Sequence, residues 1–208
     1  MNITMFRPLT VAAPKIRFAR FAWPRFISTV ESGTAYENHT ISIFNRLGAS
    51  LERTGGAGDH GVDFRGPWTL PDQQQFYLVG QCKYYERKKI GPSVIREWEG
   101  VMSRQELDTL GIVVASSGFT PSCIQEALSS IYPIALVAID GGDMSNQYTS
   151  IEQSIRGFVW NKAADTFIGK LVVAKKHYDL CKLDQADPAM YTIQLLWNGQ
   201  PLPASVNK

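Results

Sequence analysis

The chain has 208 residues, 44% of them hydrophobic and 19% charged, with a formal net charge of +2. That balance supports one sizeable core and at most two domains, and the net charge is too small to argue for a nucleic-acid partner by itself. No uninterrupted apolar run approaches the roughly 20 residues that a membrane-spanning helix needs, and the three scattered cysteines, Cys82, Cys123 and Cys181, fit neither a disulfide framework nor a zinc motif.

Residues 1–30 carry Arg7, Lys15, Arg17, Arg20 and Arg25 and no acid; the first acid is Glu31. An Arg-rich, acid-free leader with hydroxyl residues has the composition of a mitochondrial targeting segment, with processing expected shortly after Arg25. The alternative is a basic arm that touches DNA. Pro14 and Pro24 argue against one long helix there.

From Ser32 onward, Tyr36, Thr40, Ile43, Phe44 and Leu47 recur at helical spacing, and Gly48 is a natural stop. Glu37 falls at the edge of that stripe. Ala49–Arg53 is expected as a short strand, Thr54–Gly61 as a Gly-rich loop, and Val62–Arg65 as the next strand. Gly66–Gln75, with Pro67, Pro71 and Asp72, is expected as a polar turn before a strand over Phe76–Lys83. Pro92–Met102 reads as a helix, Leu110–Ser116 as a buried strand, Pro121–Ser130 as a helix with Ile124, Ala127 and Leu128 inward, and Pro133–Ile139 as another buried strand. Beyond Asp143, Ile151–Trp160 is expected to be helical and Leu171–Lys175 and Tyr191–Trp197 to be strands, the last closed by the turn pair Asn198-Gly199. This order predicts an α/β sandwich with a mixed sheet. The expected organisation is a leader over 1–30, a core over 31–143 and an extension over 144–208 packed on that core.

One constellation carries chemistry. Asp63 follows the Gly-rich loop, and Gln81 and Lys83 end the strand after it, pointing the same way because strand side chains alternate. Two carboxylates, Asp63 and Glu37, with the Gln81 amide oxygen and the Cys82 backbone carbonyl, are hard oxygen donors suited to Mg²⁺ or Mn²⁺. Lys83 adds a positive charge for a phosphate or positions a water. Phosphodiester hydrolysis needs these parts. Each residue has a plainer reading: a turn aspartate, a solvated helix glutamate, an exposed strand face, a small buried cysteine. His60 and Asp59 can equally brace the loop. Arg87, Lys88, Lys89 and Arg96, beside Tyr84 and Tyr85, are candidates for contact with DNA phosphates; the plainer reading is a solvated loop partly neutralised by Glu86, Glu97 and Glu99.

Taken together, Gly33–Glu37, Gly58–Asp63, Gln81-Cys82-Lys83-Tyr84, Gly91–Gly100 and Val113–Thr120 resemble the Mrr-like branch of the PD-(D/E)xK restriction-endonuclease-like nucleases, with Gln81 in place of the usual acid. The resemblance spans about residues 33–140. It implies a restriction-endonuclease-like three-layer sandwich with a mixed central sheet flanked by helices, catalysis by Glu37, Asp63, Gln81 and Lys83, dependence on Mg²⁺ or Mn²⁺, and double-stranded DNA as substrate. The basic leader and the tail resemble the fungal "required for respiratory growth protein 7" family, which implies a mitochondrial matrix protein for DNA maintenance. A non-catalytic DNA-binding protein and a junction or repair nuclease remain the alternatives. Cutting both strands with one site per chain would favour a homodimer.

Overall fold

The computed structural model describes residues 29–54, 58, 60–141, 154–177 and 191–202; the leader, Asp59 and Cys181 lie outside them. The first helix, α1 (Thr29–Arg46), buries Tyr36, Thr40, Ile43 and Phe44, and the chain turns away at Gly48, whose φ of 95° suits a residue without Cβ. Six strands then build one sheet in sequence order: β1 (Glu52–Arg53), β2 (Phe64–Thr69), β3 (Gln75–Lys83), β4 (Thr109–Ala115), β5 (Ile134–Ile139) and β6 (Ile155–Trp160). β1, β2 and β3 pair antiparallel, β3, β4 and β5 parallel, and β6 returns antiparallel to β5. The parallel pairs need crossovers, and α2 (Ser93–Met102) and α3 (Pro121–Ser129) supply them.

The two faces of the sheet bury separate clusters. Trp98, Ile95, Met102, Cys123 and Ala127 of α2 and α3 cover Val79, Val113 and Leu136. On the other face α1 covers Phe64, Leu78, Ile112 and Val137. A smaller sheet, β7 (Leu171–His177), β8 (Tyr191–Trp197) and β9 (Gln200–Pro201), adds Leu171, Ile193, Leu195 and Trp197 to that second cluster. The result is the expected α/β fold, a mixed six-stranded sheet flanked by helices. Asn198 and Gly199 both have positive φ, 50° and 78°, as the two-residue hairpin joining β8 to β9 requires.

Three expectations need correction. Ile155–Trp160 is not helical but the last strand of the main sheet, so that sheet draws a strand from beyond residue 143. Its pairing with β5 shifts register between Ala138 and Ile139. The bulge turns both Ile155 and Phe158 into one core, and this spacing of three mimics a helix. Gly66–Thr69 belongs to β2 rather than to a turn. Pro67 accepts the Ser50 N–H at 2.8 Å, and at Gly66 a Cβ would collide with the Ser50 carbonyl. The Gly-Pro pair marks close approach beside the edge strand, not a reversal; the reversal comes at Leu70–Gln74, with Gln73 at φ 65°. Finally, Leu128 of α3 is exposed and Cys123 takes the buried position.

Candidate functional site

Asp63 is the last residue before β2, and its backbone is fixed from both sides. Thr54 N–H donates to the Asp63 carbonyl at 2.8 Å, and Asp63 N–H donates to Gly80 O at 2.8 Å. The Thr54 hydroxyl holds Val62 O at 2.8 Å. Val62 is buried on the α2 face and pins the loop end. Gly61 (φ 81°) and His60 (φ 52°) make the tight entry, and the Gln81 amide packs beside Gly61. The β2–β3 ladder ends at the pair Phe64–Gly80. Just past it, Cys82 N–H donates to Asp63 Oδ2 at 2.6 Å instead of to a backbone carbonyl. A short hydrogen bond to an ionised acceptor is among the stronger kinds.

The end of β3 alternates as expected. Gln81, Cys82 and Lys83 are all half-buried, and Cys82 packs on the cluster under α1. Gln81 and Lys83 therefore belong to the face opposite α1. Glu37 is carried by α1 itself and comes from the Cys82 side. Asp63 is tied to this strand end through the Cys82 N–H, and Glu37 lies on the helix whose cluster Cys82 packs against. Burial pushes the Cys82 thiol well above its usual range; the charges of Asp63 and Glu37 push it further, while the Thr40 side chain and Lys83 oppose the rise. That sulfur is packed against the cluster under α1. It stays protonated and is no nucleophile.

Glu37 has a partner that sequence reasoning missed. Arg53 Nε donates to Glu37 Oε2 at 2.5 Å, and Arg53 Nη2 reaches Thr34 Oγ1 at 3.3 Å. The Arg53 side chain is 37% exposed and that of Glu37 16%. Arg53 ends the edge strand one residue before Thr54, the residue that fixes Asp63. Only the pairing of β1 with β2 brings it to α1, and local sequence carries no signal of that. Beside Glu37, the Tyr36 hydroxyl donates to Ile139 O at 2.9 Å and its ring packs 5.4 Å from that of Tyr84. Burial raises the Tyr36 phenol far above its ordinary range. The helix bearing Glu37 is thereby tied to the end of β5.

The basic segment after Lys83 is fastened to the end of β4. Ser116 Oγ accepts Tyr85 N–H and donates to Tyr85 O, each at 2.8 Å. Ser117 Oγ donates to Lys88 O at 2.6 Å. Ile90 N–H donates to Gly118 O and Thr120 N–H to Ile90 O, both at 2.9 Å. Arg87, Lys88 and Lys89 stand exposed on this anchored loop. Arg96 on α2 differs from them: it pairs with Glu126 of α3 at 3.2 Å. Glu99 is engaged away from the basic run, accepting from Ser130 Oγ at 2.6 Å. The serines at 116 and 117, not the lysines, are the part of this surface whose role was hidden in the sequence.

Among the described residues no group of three or more His, Cys, Asp or Glu side chains could hold a metal ion. The acids at this end of the sheet include Glu37, Asp63 and Asp140, the last of which follows β5 and pairs with Arg156 at 2.5 Å.

A family model described as restriction endonuclease (Mrr_cat) matches residues 30–144. An uncharacterized mitochondrial protein of the yeast Schizosaccharomyces pombe (strain 972) is 32% identical over 145 residues, which are 68% of this chain and 55% of that protein. The chain thus spans about half the length of this curated relative. Among solved structures, the MspJI restriction endonuclease in complex with a 27-mer oligonucleotide is similar at 22% identity and a TM-score of 0.41, over 54% of this chain and 27% of that one.

Proposed function

The chain belongs to the Mrr_cat restriction endonuclease family, and from that premise we propose that it is a divalent-metal-dependent DNA endonuclease. One observation carries the reading: Asp63 Oδ2 accepts the Cys82 N–H at 2.6 Å, which sets this carboxylate against the Gln81–Lys83 end of β3, beside a basic loop fastened to β4. Two carboxylates are enough for Mg²⁺, which keeps several waters and takes only one or two acid ligands. Asp63 and Glu37 would hold it, with the Gln81 amide oxygen and the Cys82 carbonyl as neutral donors. With the Cys82 thiol protonated, the donors are all oxygens, in kind right for Mg²⁺ or Mn²⁺. The bound ion would supply Lewis-acid polarisation of the phosphodiester and an acidified water.

The protein's own residues do the rest. Lys83 offsets charge developing on the phosphoryl oxygens. The Thr54 and Gly80 contacts hold Asp63 without a change of backbone. Arg87, Lys88 and Lys89 meet backbone phosphates and orient the duplex without reading its sequence. Arg96 can join them by exchanging Glu126 for a phosphate, since exposed ion pairs contribute little.

Plasmid cleavage in Mg²⁺ or Mn²⁺ is the test, with Asp63→Ala and Lys83→Ala expected to abolish it; cleavage surviving both substitutions rejects the site. A second reading, a DNA-binding protein that keeps the fold without turnover, is favoured by Gln81 in place of an acid and by the prior engagement of Glu37 with Arg53. Absence of any calorimetric Mn²⁺ signal, with and without DNA, selects it. Comparing branched with linear DNA separates a junction or repair nuclease from a general one. The acid-free leader and the mitochondrial relative support a mitochondrial, matrix-side role in DNA maintenance, which a reporter fused to residues 1–30 tests. Sedimentation with and without DNA tests for a homodimer.

A further inference from the structure

We propose that Arg53 is a latch on Glu37, which a substrate phosphate releases, so that metal binding is coupled to DNA binding. This rests on the reading of Glu37 and Asp63 as metal ligands. In the structure Glu37 Oε2 is held by Arg53 Nε at 2.5 Å. Of the two proposed acid ligands, Glu37 therefore already carries a cation, and Asp63 is held by the N–H of Cys82, one residue before Lys83. Position 81 is a glutamine, and the further acid at the end of β5, Asp140, is already engaged by Arg156.

Arg53 is built to exchange. It sits at the end of a two-residue edge strand, its side chain is partly exposed, and its second contact, to Thr34 Oγ1, is long at 3.3 Å. Nη1 makes no hydrogen bond to any described residue. Guanidinium forks bind phosphate oxygens as readily as carboxylates, and of the two partners it is Arg53, 37% exposed against 16% for Glu37, that an incoming phosphate can reach. A phosphodiester arriving beside Asp63 competes with Glu37 for the same fork. Once Arg53 turns to the phosphate, Glu37 Oε2 is left open to a cation. Arg53 is thus a positioning residue that acts through Glu37, and by linkage metal in turn tightens DNA binding.

Calorimetric titration of the full chain with Mn²⁺, alone and with a cleavage-resistant phosphorothioate duplex, tests this. The wild type should bind Mn²⁺ about tenfold tighter with duplex present, within the usual range of such couplings. Arg53→Ala should bind Mn²⁺ tighter than wild type without duplex, and the gain from duplex should shrink. Arg53→Lys, which keeps the charge, should restore part of the coupling. Glu37→Gln, which frees Arg53, should raise duplex affinity in EDTA. Weaker Mn²⁺ binding by Arg53→Ala makes Arg53 a prop rather than a latch and overturns the proposal, as does unchanged or reduced duplex affinity of Glu37→Gln in EDTA. Asp63→Ala separates the two levels. If it binds Mn²⁺ as wild type does, the metal-site reading falls and takes the latch with it. If it loses Mn²⁺ while Arg53→Ala behaves as wild type, only the latch falls.

Discussion

Replacing Asp63 in two ways divides its structural work from its proposed chemistry. Its Oδ2 accepts the Cys82 N–H at 2.6 Å. A bond to a charged acceptor contributes about 1.5–3 kcal/mol and a neutral one about 0.5–1.5. Asp63→Asn can keep the bond through its amide oxygen, so folding stability should fall by only about 1 kcal/mol. Asp63→Ala strands the half-buried Cys82 N–H and should cost about 2–3 kcal/mol. Metal binding should rank the variants differently. Both lose the anionic ligand, so both should lose Mn²⁺ affinity by at least about tenfold, or ~1.4 kcal/mol. Urea unfolding at unchanged m-value gives the first quantity and calorimetry in Mn²⁺ the second. Wild-type Mn²⁺ affinity in Asp63→Asn refutes the ligand role. Equal destabilisation by the two variants refutes the account of the hydrogen bond.

Replacing Arg87, Lys88 and Lys89 by alanine should weaken duplex binding about equally for all sequences and flatten its salt dependence, by roughly 0.9 in the log–log slope per lost phosphate contact; fluorescence anisotropy over a salt series measures it. Asn161 is 2% exposed, its Oδ1 accepting from Ile134 and Ala164 N–H and its Nδ2 donating to Ala127, Ser130 and Tyr132 carbonyls. Asn161→Ala should cost about 3–4 kcal/mol by urea unfolding, since several buried partners lose their bonds at once. His39 is held below its usual range, by burial first and with Arg46 adding to it, against the opposing pull of Asp140. Stability from this histidine is therefore complete above pH 6.5 and lost as pH falls toward its folded value; His39→Gln should flatten the thermal-stability profile in that window. Cys123 is pushed up to about 11 from 9.0, mainly by burial, so the unfolded chain ionises first and stability should fall between pH 9 and about 11; Cys123→Ala should shrink that loss, leaving the part due to Cys82 and Tyr36, which are also raised.

Where burial followed a simple period, the sequence was enough. The stripe of Tyr36, Ile43 and Phe44 gives α1, the all-apolar Leu110–Ala115 and Ile134–Val137 give the two central parallel strands, and Pro92 and Pro121 stand at or just before the first turns of α2 and α3. Periodicity failed where geometry is set by a neighbour. The bulge opposite Ala138 made β6 look helical, and the approach of Ser50 turned Gly66-Pro67 from a turn signal into strand. In the candidate site, Asp63, Gln81 and Lys83 were legible as residue types on two adjacent strands. Arg53 was not, because its meeting with Glu37 is a tertiary consequence of an edge strand lying under α1. Ser116 and Ser117 were not either, because a serine that ties down a loop looks like any surface serine.

The strand β6 has a consequence for how this protein can be divided. β5 is apolar and almost wholly buried along its length, and its outer ladder is completed only by Ile155–Trp160. The family match stops at residue 144, short of that strand. A fragment cut there would present a bare row of N–H and C=O groups on an Ile-Ala-Leu-Val-Ala-Ile edge, the kind of surface that recruits other chains and aggregates. The segment matched by the family model is therefore shorter than the unit that completes the main sheet. Asn161, just past β6, ties the same strand to the end of α3 and closes that unit.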